Sequence, residues 1–368
     1  WWRTIDKWTL SSIFMLFGIG LLLGLAASVP LASRNGLEPF YYVQKQAIFG
    51  GMGLATMIAV SMMSPETVRR LGVIGFLFAM LLVFALPFVG EDHGKGAVRW
   101  LSIGGFSLQP SEFLKPAFVV VTAWLMAASQ QVGGPPGKLL SFGLLCAVVG
   151  FLAMQPDFGQ SALILFAWGV IYFIAGAPMF LILGIAGLVA GGGVIAYGAS
   201  EHFARRIDGF LAPDVDPRTQ LGYATNAIQE GGFFGVGVGE GQVKWSLPDA
   251  HTDFIIAVAA EEYGLILVLL ILALFGVIVV RSLIRRMAER DPFTRLAGAG
   301  LACVFGVQAM INMGVAVRLL PAKGMTLPFI SYGGSSLIAA GITVGALLAM
   351  TRTRPRDRMS DVFRRSGR

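Results

Sequence analysis

Charge is what this sequence has least of. Only 13% of its 368 residues are Asp, Glu, Lys or Arg, against 55% that are hydrophobic, whereas a soluble domain is nearer a quarter charged. A chain this long cannot clothe a water-facing surface with so few ions, which excludes an ordinary soluble fold. Cysteine is scarcer still. Cys146 and Cys303 are the only two, and both fall in apolar stretches, where a lone thiol behaves as a small hydrophobe, so no disulfide framework is indicated. The three histidines are scattered, which makes a histidine-built metal centre a poor fit. The first apolar run is long and lacks a small-residue cleavage site, so no cleavable signal is expected.

What the chain has instead is apolar runs of about 17–25 residues, each long enough to cross a hydrocarbon core of about 30 Å. They predict an all-α, polytopic membrane protein of about ten transmembrane helices, forming one integral membrane domain over residues 1–368. The expected spans are 9–30, 46–63, 71–90, 111–128, 139–155, 160–176, 178–199, 254–280, 296–318 and 328–350. An even number puts both termini on one side.

The formal net charge of +7 invites a nucleic-acid reading, but its distribution argues otherwise. Arginines gather at 281–295 and in a tail at 352–368, each block directly after an apolar run, as in cytoplasmic loops held by the positive-inside rule. Nucleic acid is therefore not an expected partner. The termini are expected in the cytoplasm, leaving three notable outer segments at 91–110, 200–253 and 319–327. The middle one, between the seventh and eighth spans, is about fifty residues long, and loops of that length are usually functional. Its glycine string GGFFGVGVGEG, from Gly231 to Gly241, lacks the preceding strand and following Lys-Ser pair of a phosphate loop. It reads better as a flexible hinge near the membrane surface.

Ionisable residues near apolar spans are costly unless paired or hydrated, so each marks a candidate site. In RWLSIGGFSLQPSEFLK, from Arg99 to Lys115, Pro110 and Ser111 read as a helix start. Glu112 and Lys115 are then close enough to pair, as a structural strut or as a substrate-lining group. Trp100 is either an interface anchor or a stacking surface for a sugar ring. In LPDAHTDFIIAVAAEEYG, from Leu247 to Gly264, Asp253 is expected at a helix start, where the dipole favours a carboxylate. Glu261 would project from nearly the same face about 12 Å deeper, beside Glu262. His251, without Cys or His neighbours, does not suggest a metal. In RLLPAKGMTLPFISYGGSS, from Arg318 to Ser336, Lys323 is the candidate for function, and the small residues suit close helix packing. Asp157 adds a further outer carboxylate. Cations suit a pyrophosphate and an acid suits a base, a mixture that fits a glycolipid diphosphate better than a simple ion.

At these motifs the chain resembles the SEDS family (shape, elongation, division and sporulation), bacterial membrane glycosyltransferases with ten helices. Val98-Arg99-Trp100, QPSEFLK at 109–115, QPDFG at 155–159, LPDAHTDF at 247–254 and LPAKGMTLPFISYGGSS at 320–336 occur in family order. Lys323 in LPAKGMTLP is similar to the division branch of that family rather than the elongation branch. Asp249, Gln160-Ser161 and the AAEEYG string depart from the family's more frequent residues.

The resemblance implies polymerisation of lipid II into β-1,4 glycan strands during cell division, with loss of undecaprenyl pyrophosphate. It aligns Asp253 with the family's essential loop aspartate, here read as the general base. Arg99, Trp100, Glu112, Lys115, Asp157, His251, Glu261, Glu262 and Lys323 are the expected substrate-binding set. It implies a class B penicillin-binding protein and other divisome membrane proteins as partners, and a place in the inner membrane at the septum with the active side in the periplasm. A divalent cation, Mg or Mn, could share the work on the pyrophosphate, although no dedicated cage is visible. A lipid II flippase and a non-catalytic divisome scaffold are the competing readings.

Overall fold

The computed structural model describes residues 1–90, 98–103, 106–199, 201–212, 217, 219–287, 289–321 and 324–352. Twelve helices account for nearly all of the regular structure in these residues. They are α1 (Lys7–Arg34), α2 (Tyr41–Met62), α3 (Pro65–Val89), α4 (Pro110–Ala128), α5 (Gly137–Met154), α6 (Phe158–Ile174), α7 (Met179–Ala199), α8 (Glu201–Leu211), α9 (Gln220–Gly231), α10 (Ile255–Met287), α11 (Pro292–Ala316) and α12 (Gly334–Thr351). Between α3 and α4 a short hairpin pairs β1 (Leu101–Ile103) antiparallel with β2 (Phe106–Leu108), with Leu101 opposite Leu108.

Seven of these helices are long and apolar enough to cross a membrane: α1, α3, α4, α5, α10, α11 and α12. A bent pair, Leu183–Ala199 with Phe203–Leu211 at 107°, would make an eighth. α2 has 22 residues and α6 has 17. The helices overlap the expected apolar runs, but among the described residues seven or eight qualify as spans by length and composition, where the runs predict about ten, and two further features also differ. The last begins at Gly334 rather than near 328, because Pro328 and the turns around it fold into the bundle first. The long segment at 200–253 is not a bare loop, since it contains α8, α9 and a 3-10 turn at Val243–Trp245.

Burial sorts the helices into layers. α4 and α11 are central, with 78% and 83% of their apolar windows buried, whereas α3 is buried over only 22%. Leu77, Phe78, Leu81, Phe84 and Phe88 of α3 are all exposed. A row of large exposed apolar side chains on one helix is stable only against hydrocarbon. α2 and α12 meet more closely than side chains would permit. A Cβ at Gly341 would stand 2.2 Å from the Gly53 carbonyl oxygen, so the two backbones touch through small residues, a packing mode of helices in lipid.

Helix ends rich in arginine share one end of the bundle. There Asp6 receives hydrogen bonds from Arg281 (3.0 and 2.9 Å) and Arg285 (3.3 Å), and Trp1 donates to Ser61 Oγ at 2.9 Å. Arg352 reaches the carbonyls of Ser61 and Met62. The polar clusters picked out in the sequence lie at the other end.

Candidate functional site

The first cluster is a sealed pair. Pro110 opens α4 as its first residue, with Gln109 as N-cap, two positions earlier than an N-cap at Ser111. One turn in, Lys115 Nζ donates to Glu112 Oε2 at 2.9 Å, and both side chains are at most 5% exposed. The remaining polar atoms find partners on neighbouring helices. Gln160 of α6 donates to Glu112 Oε1 at 2.7 Å, and Lys115 donates to Gln308 Oε1 of α11 at 2.6 Å. Buried ions need such full partnering, because either one alone would be left uncompensated in a dry interior.

Arg99 and Asp157 sit beside this pair. Arg99 donates to the carbonyls of Gln155 (3.2 Å) and Pro156 (2.6 Å), which fixes the hairpin on the α5–α6 turn. Asp157, at the start of α6, is 6% exposed. Burial pushes its carboxyl above the usual range, and the Arg99 guanidinium only partly opposes this. Trp100 is half-buried at the base of the hairpin.

The second and third clusters form one unit. Asp249 adopts φ 54°, and its carbonyl receives the N–H groups of Thr252, Asp253 and Phe254. This tight turn puts Asp253 two residues ahead of α10, half-buried, rather than in the helix. Three ties join it to the segment before α12. Ser331 Oγ donates to the Thr252 carbonyl and accepts the Leu327 N–H at 2.9 Å. The Tyr332 N–H donates to the His251 carbonyl at 2.9 Å. Asn312 Nδ2 of α11 donates to the carbonyls of Asp253 (2.9 Å) and Met325 (2.6 Å). A Cβ at Gly324 would stand 3.0 Å from Asp253 Oδ2, so the carboxylate lies against a bare backbone. Lys323, the residue just before Gly324, falls outside the described residues. His251 packs its ring against Tyr42 and Tyr332, with centroids 5.8 and 5.6 Å apart.

Glu261 and Glu262 correct the expectation of a continuous eighth span lining the same outer cavity. Gly264 breaks α10 at φ 74°, ψ −172°, a conformation essentially confined to glycine. The glycine string laces the break. Val236 and Gly237 N–H donate to the carbonyls of Glu261 and Glu262 at 2.8 and 3.2 Å, and Leu265 N–H donates to the Gly232 carbonyl at 3.0 Å. Glu261 accepts the N–H groups of Val243 (2.7 Å) and Lys244 (3.2 Å), while Glu262 takes the Lys244 ammonium. The string is thus not a free hinge. Its glycines permit close backbone approach: a Cβ at Gly235 would stand 2.2 Å from the Glu262 carbonyl oxygen.

Sequence reasoning did not single out Gln308 and Asn312. They are polar amides in an apolar run at helical spacing (i, i+4), and that spacing was the available signal. Gln308 also donates to the Thr326 carbonyl at 3.0 Å. A continuous polar chain therefore runs from Gln160 through Glu112, Lys115, Gln308 and the Met325–Thr326 backbone to Asn312 and Asp253.

Beside this chain an apolar groove with a volume of about 370 Å³ runs between α2, α3, α4 and α12. Leu108 and Pro110 line it near the polar end, and Met63 and Val68 near the arginine-rich end. Among the described residues, no group of three or more His, Cys, Asp or Glu is placed to hold a metal ion.

Fold and site together define a class: a multi-pass membrane protein with a half-buried carboxylate at one end and a lipid-sized groove along α4. The chain belongs to the family of cell cycle proteins that comprises FtsW, RodA and SpoVE, whose profile matches residues 7–355. It is 44% identical over 356 residues to a probable peptidoglycan glycosyltransferase FtsW of Caulobacter vibrioides, covering 96% of this chain and 91% of the relative. It is 36% identical over 357 residues to the like-named protein of Trichlorobacter lovleyi, covering 93% and 92%. Among solved structures it resembles a chain of a peptidoglycan synthase complex that coordinates polymerization and crosslinking. The TM-score is 0.76 at 26% identity, over 96% of this chain and 98% of that one. It also resembles the rod shape determining protein RodA of Thermus thermophilus, with TM-score 0.69 at 25% identity over 97% and 98%.

Proposed function

We propose that this chain is a peptidoglycan glycosyltransferase of cell division that polymerises lipid II at the outer face of the inner membrane, with Asp253 as general base. The observation that carries this reading is the placement of Asp253. Its backbone is fixed by Asn312 and the tight Asp249 turn, while its carboxylate is half-buried against Gly324. Asp253 takes the proton of the acceptor's 4-hydroxyl as that oxygen attacks the donor's anomeric carbon. The bond to the leaving undecaprenyl pyrophosphate breaks in the same displacement. A base so positioned is worth roughly 10²–10⁴ in rate. Arg99 and Lys323 are the cations assigned to the developing diphosphate charge. Lys115 and Glu112, sealed from solvent, support the site from beneath. Trp100, His251 and Asp157 border the sugar, and Glu261 and Glu262 hold the wall. The apolar groove offers room for an isoprenoid chain alongside α4.

Orientation follows from charge. The Arg281–Arg295 block and the 352–368 tail keep their end, and both termini, in the cytoplasm, and the site then faces the periplasm. A class B penicillin-binding protein and other divisome membrane proteins are the expected companions, because a new glycan strand needs a cross-linking enzyme beside it.

A flippase reading draws on the break in α10, since transporters use broken helices around midplane sites. Here the break is filled by backbone hydrogen bonds from the glycine string rather than by an open binding site, which favours the polymerase. Purified lipid II in detergent, where sidedness is lost, decides between them. Wild-type protein should lengthen lipid II into glycan and Asp253→Ala should not. Unchanged lipid II with the wild type and its partner present would sink the proposal.

A further inference from the structure

α11 carries a second layer of machinery behind Asp253. Gln308 and Asn312 lie one helical turn apart on the same face of this buried helix, and each bridges two other elements. Gln308 accepts from Lys115 and donates to the Thr326 carbonyl. Asn312 gives both hydrogens of its amide to carbonyls, those of Asp253 and Met325. The amide orientation is dictated by these partners, because the reverse would set Asn312 Oδ1 against two other oxygens. Ser331 adds a further tie through the Thr252 carbonyl. The backbone that bears Asp253 and the backbone that follows Lys323 are therefore indexed to one rigid helix. The same helix is indexed to the Glu112–Lys115 pair on α4.

We propose that Asn312, with Gln308 one turn away, is a positioning residue for the reaction: it sets the distance between the Asp253 carboxylate and the acceptor hydroxyl. This inference rests on Asp253 acting as base. The physical reason is the steepness of proton transfer with geometry. A base works within about 2.6–3.2 Å of its proton, and a displacement near 1 Å costs on the order of 10²-fold in rate. Without Asn312, the carbonyls of Asp253 and Met325 lose their shared donor and the two loops can part. Substrate grips elsewhere on the site are left in place, so binding should be spared.

The test is steady-state polymerisation of purified lipid II by the full chain in detergent, with its cross-linking partner present. Asn312→Leu fills the same volume without donors and should lower kcat by about 10–100-fold while KM stays within about threefold. Asn312→His, which restores one ring N–H at a similar position, should recover part of that loss. Ser331→Ala, a smaller lesion, should show the same split at reduced size, and it serves if Asn312→Leu does not fold. Thr122→Val removes a buried hydroxyl that has no partner and should match the wild type. The inference is overturned if Asn312→Leu and Ser331→Ala keep wild-type kcat. It is also overturned if their losses track only the folded fraction, or if KM alone rises. An inactive Asp253→Ala beside a fully active Asn312→Leu refutes positioning and leaves the base in place. An active Asp253→Ala refutes the base itself.

Discussion

Three carboxylates stand within a few residues of one another where the chain enters α10, and the structure treats them differently. Glu261 and Glu262 are 0% and 1% exposed, and they are occupied by backbone amides and by Lys244. Asp253 is half-buried at the mouth of the same helix, beside a glycine. In sequence Asp253 reads as a carboxylate at a helix start, and the glutamate pair as acids deeper on nearly the same face. The contrast separates two acids sealed within the wall from one that is half-buried at the helix mouth with its backbone fixed, and it is to the second kind that the proposed function assigns chemistry.

The largest expected effect sharpens that division. Asp253→Asn keeps shape and hydrogen-bonding capacity but cannot accept a proton at neutral pH. Polymerisation should fall by roughly 10²–10⁴ while the melting temperature in detergent stays within a degree or two of wild type. A large drop in melting temperature would mean that Asp253 belongs with the structural pair.

Lys244→Met should do the opposite. It strands Glu262, whose side chain is fully buried, and losing one partner of a buried pair costs about 3–5 kcal/mol. Thermal unfolding should shift strongly downward, with activity per folded molecule changed much less. Adding Glu262→Leu should restore part of the stability, because an apolar pair needs no partner charge. If the double variant is no better than the single, the Lys244–Glu262 contact is not what holds the loop.

Much of this was legible in the sequence and some was not, for physical reasons. Apolar run length set the helices, because hydrocarbon thickness leaves few alternatives. The convergence of the motifs around Glu112, Asp253 and Ser331 was legible from alternation of sides along the chain. The break at Gly264 was hidden by the apolar residues on both sides, which mimic an unbroken span. Its trace was a glutamate pair running into a glycine, together with the alternate-residue glycines 235, 237, 239 and 241. Gly235, Gly237 and Gly239 all take positive φ, so the string is a run of turns folded onto the break rather than slack. Gln308 and Asn312 escaped notice because uncharged amides in an apolar helix carry no charge signal.

The glycine lacing itself can be broken. A Cβ at Gly264 would stand 2.3 Å from the Phe233 carbonyl oxygen, in a backbone region that costs other residues on the order of 1–3 kcal/mol even without a clash. Gly264→Ala should lower the melting temperature and raise hydrogen exchange at Val236 and Leu265, whose N–H groups cross the break. Gly276→Ala, deeper in the same helix where a Cβ meets nothing within 4 Å, should be neutral or slightly stabilising. Equal behaviour of the two variants would deny that the break matters.

The smallest effect is expected at the opposite end, where Asp6 offers a carboxylate of the structural kind outside the membrane spans. Burial alone would raise its carboxyl, but hydrogen bonds from Arg281 and Thr9 and the Arg285 charge outweigh that and leave it below the ordinary 3.8. Because the folded value is depressed, the stabilisation is present above the unfolded value and is lost as pH falls through the folded one. Both arginines are about a third exposed, so screening by water keeps the contribution on the order of 1 kcal/mol. Asp6→Asn should therefore melt slightly earlier than wild type at neutral pH, and the two curves should converge as pH falls through the lowered Asp6 value. High salt should narrow the gap as well. Curves that stay apart at acid pH would show that Asp6 acts through its neutral hydrogen bond to Thr9 rather than through charge.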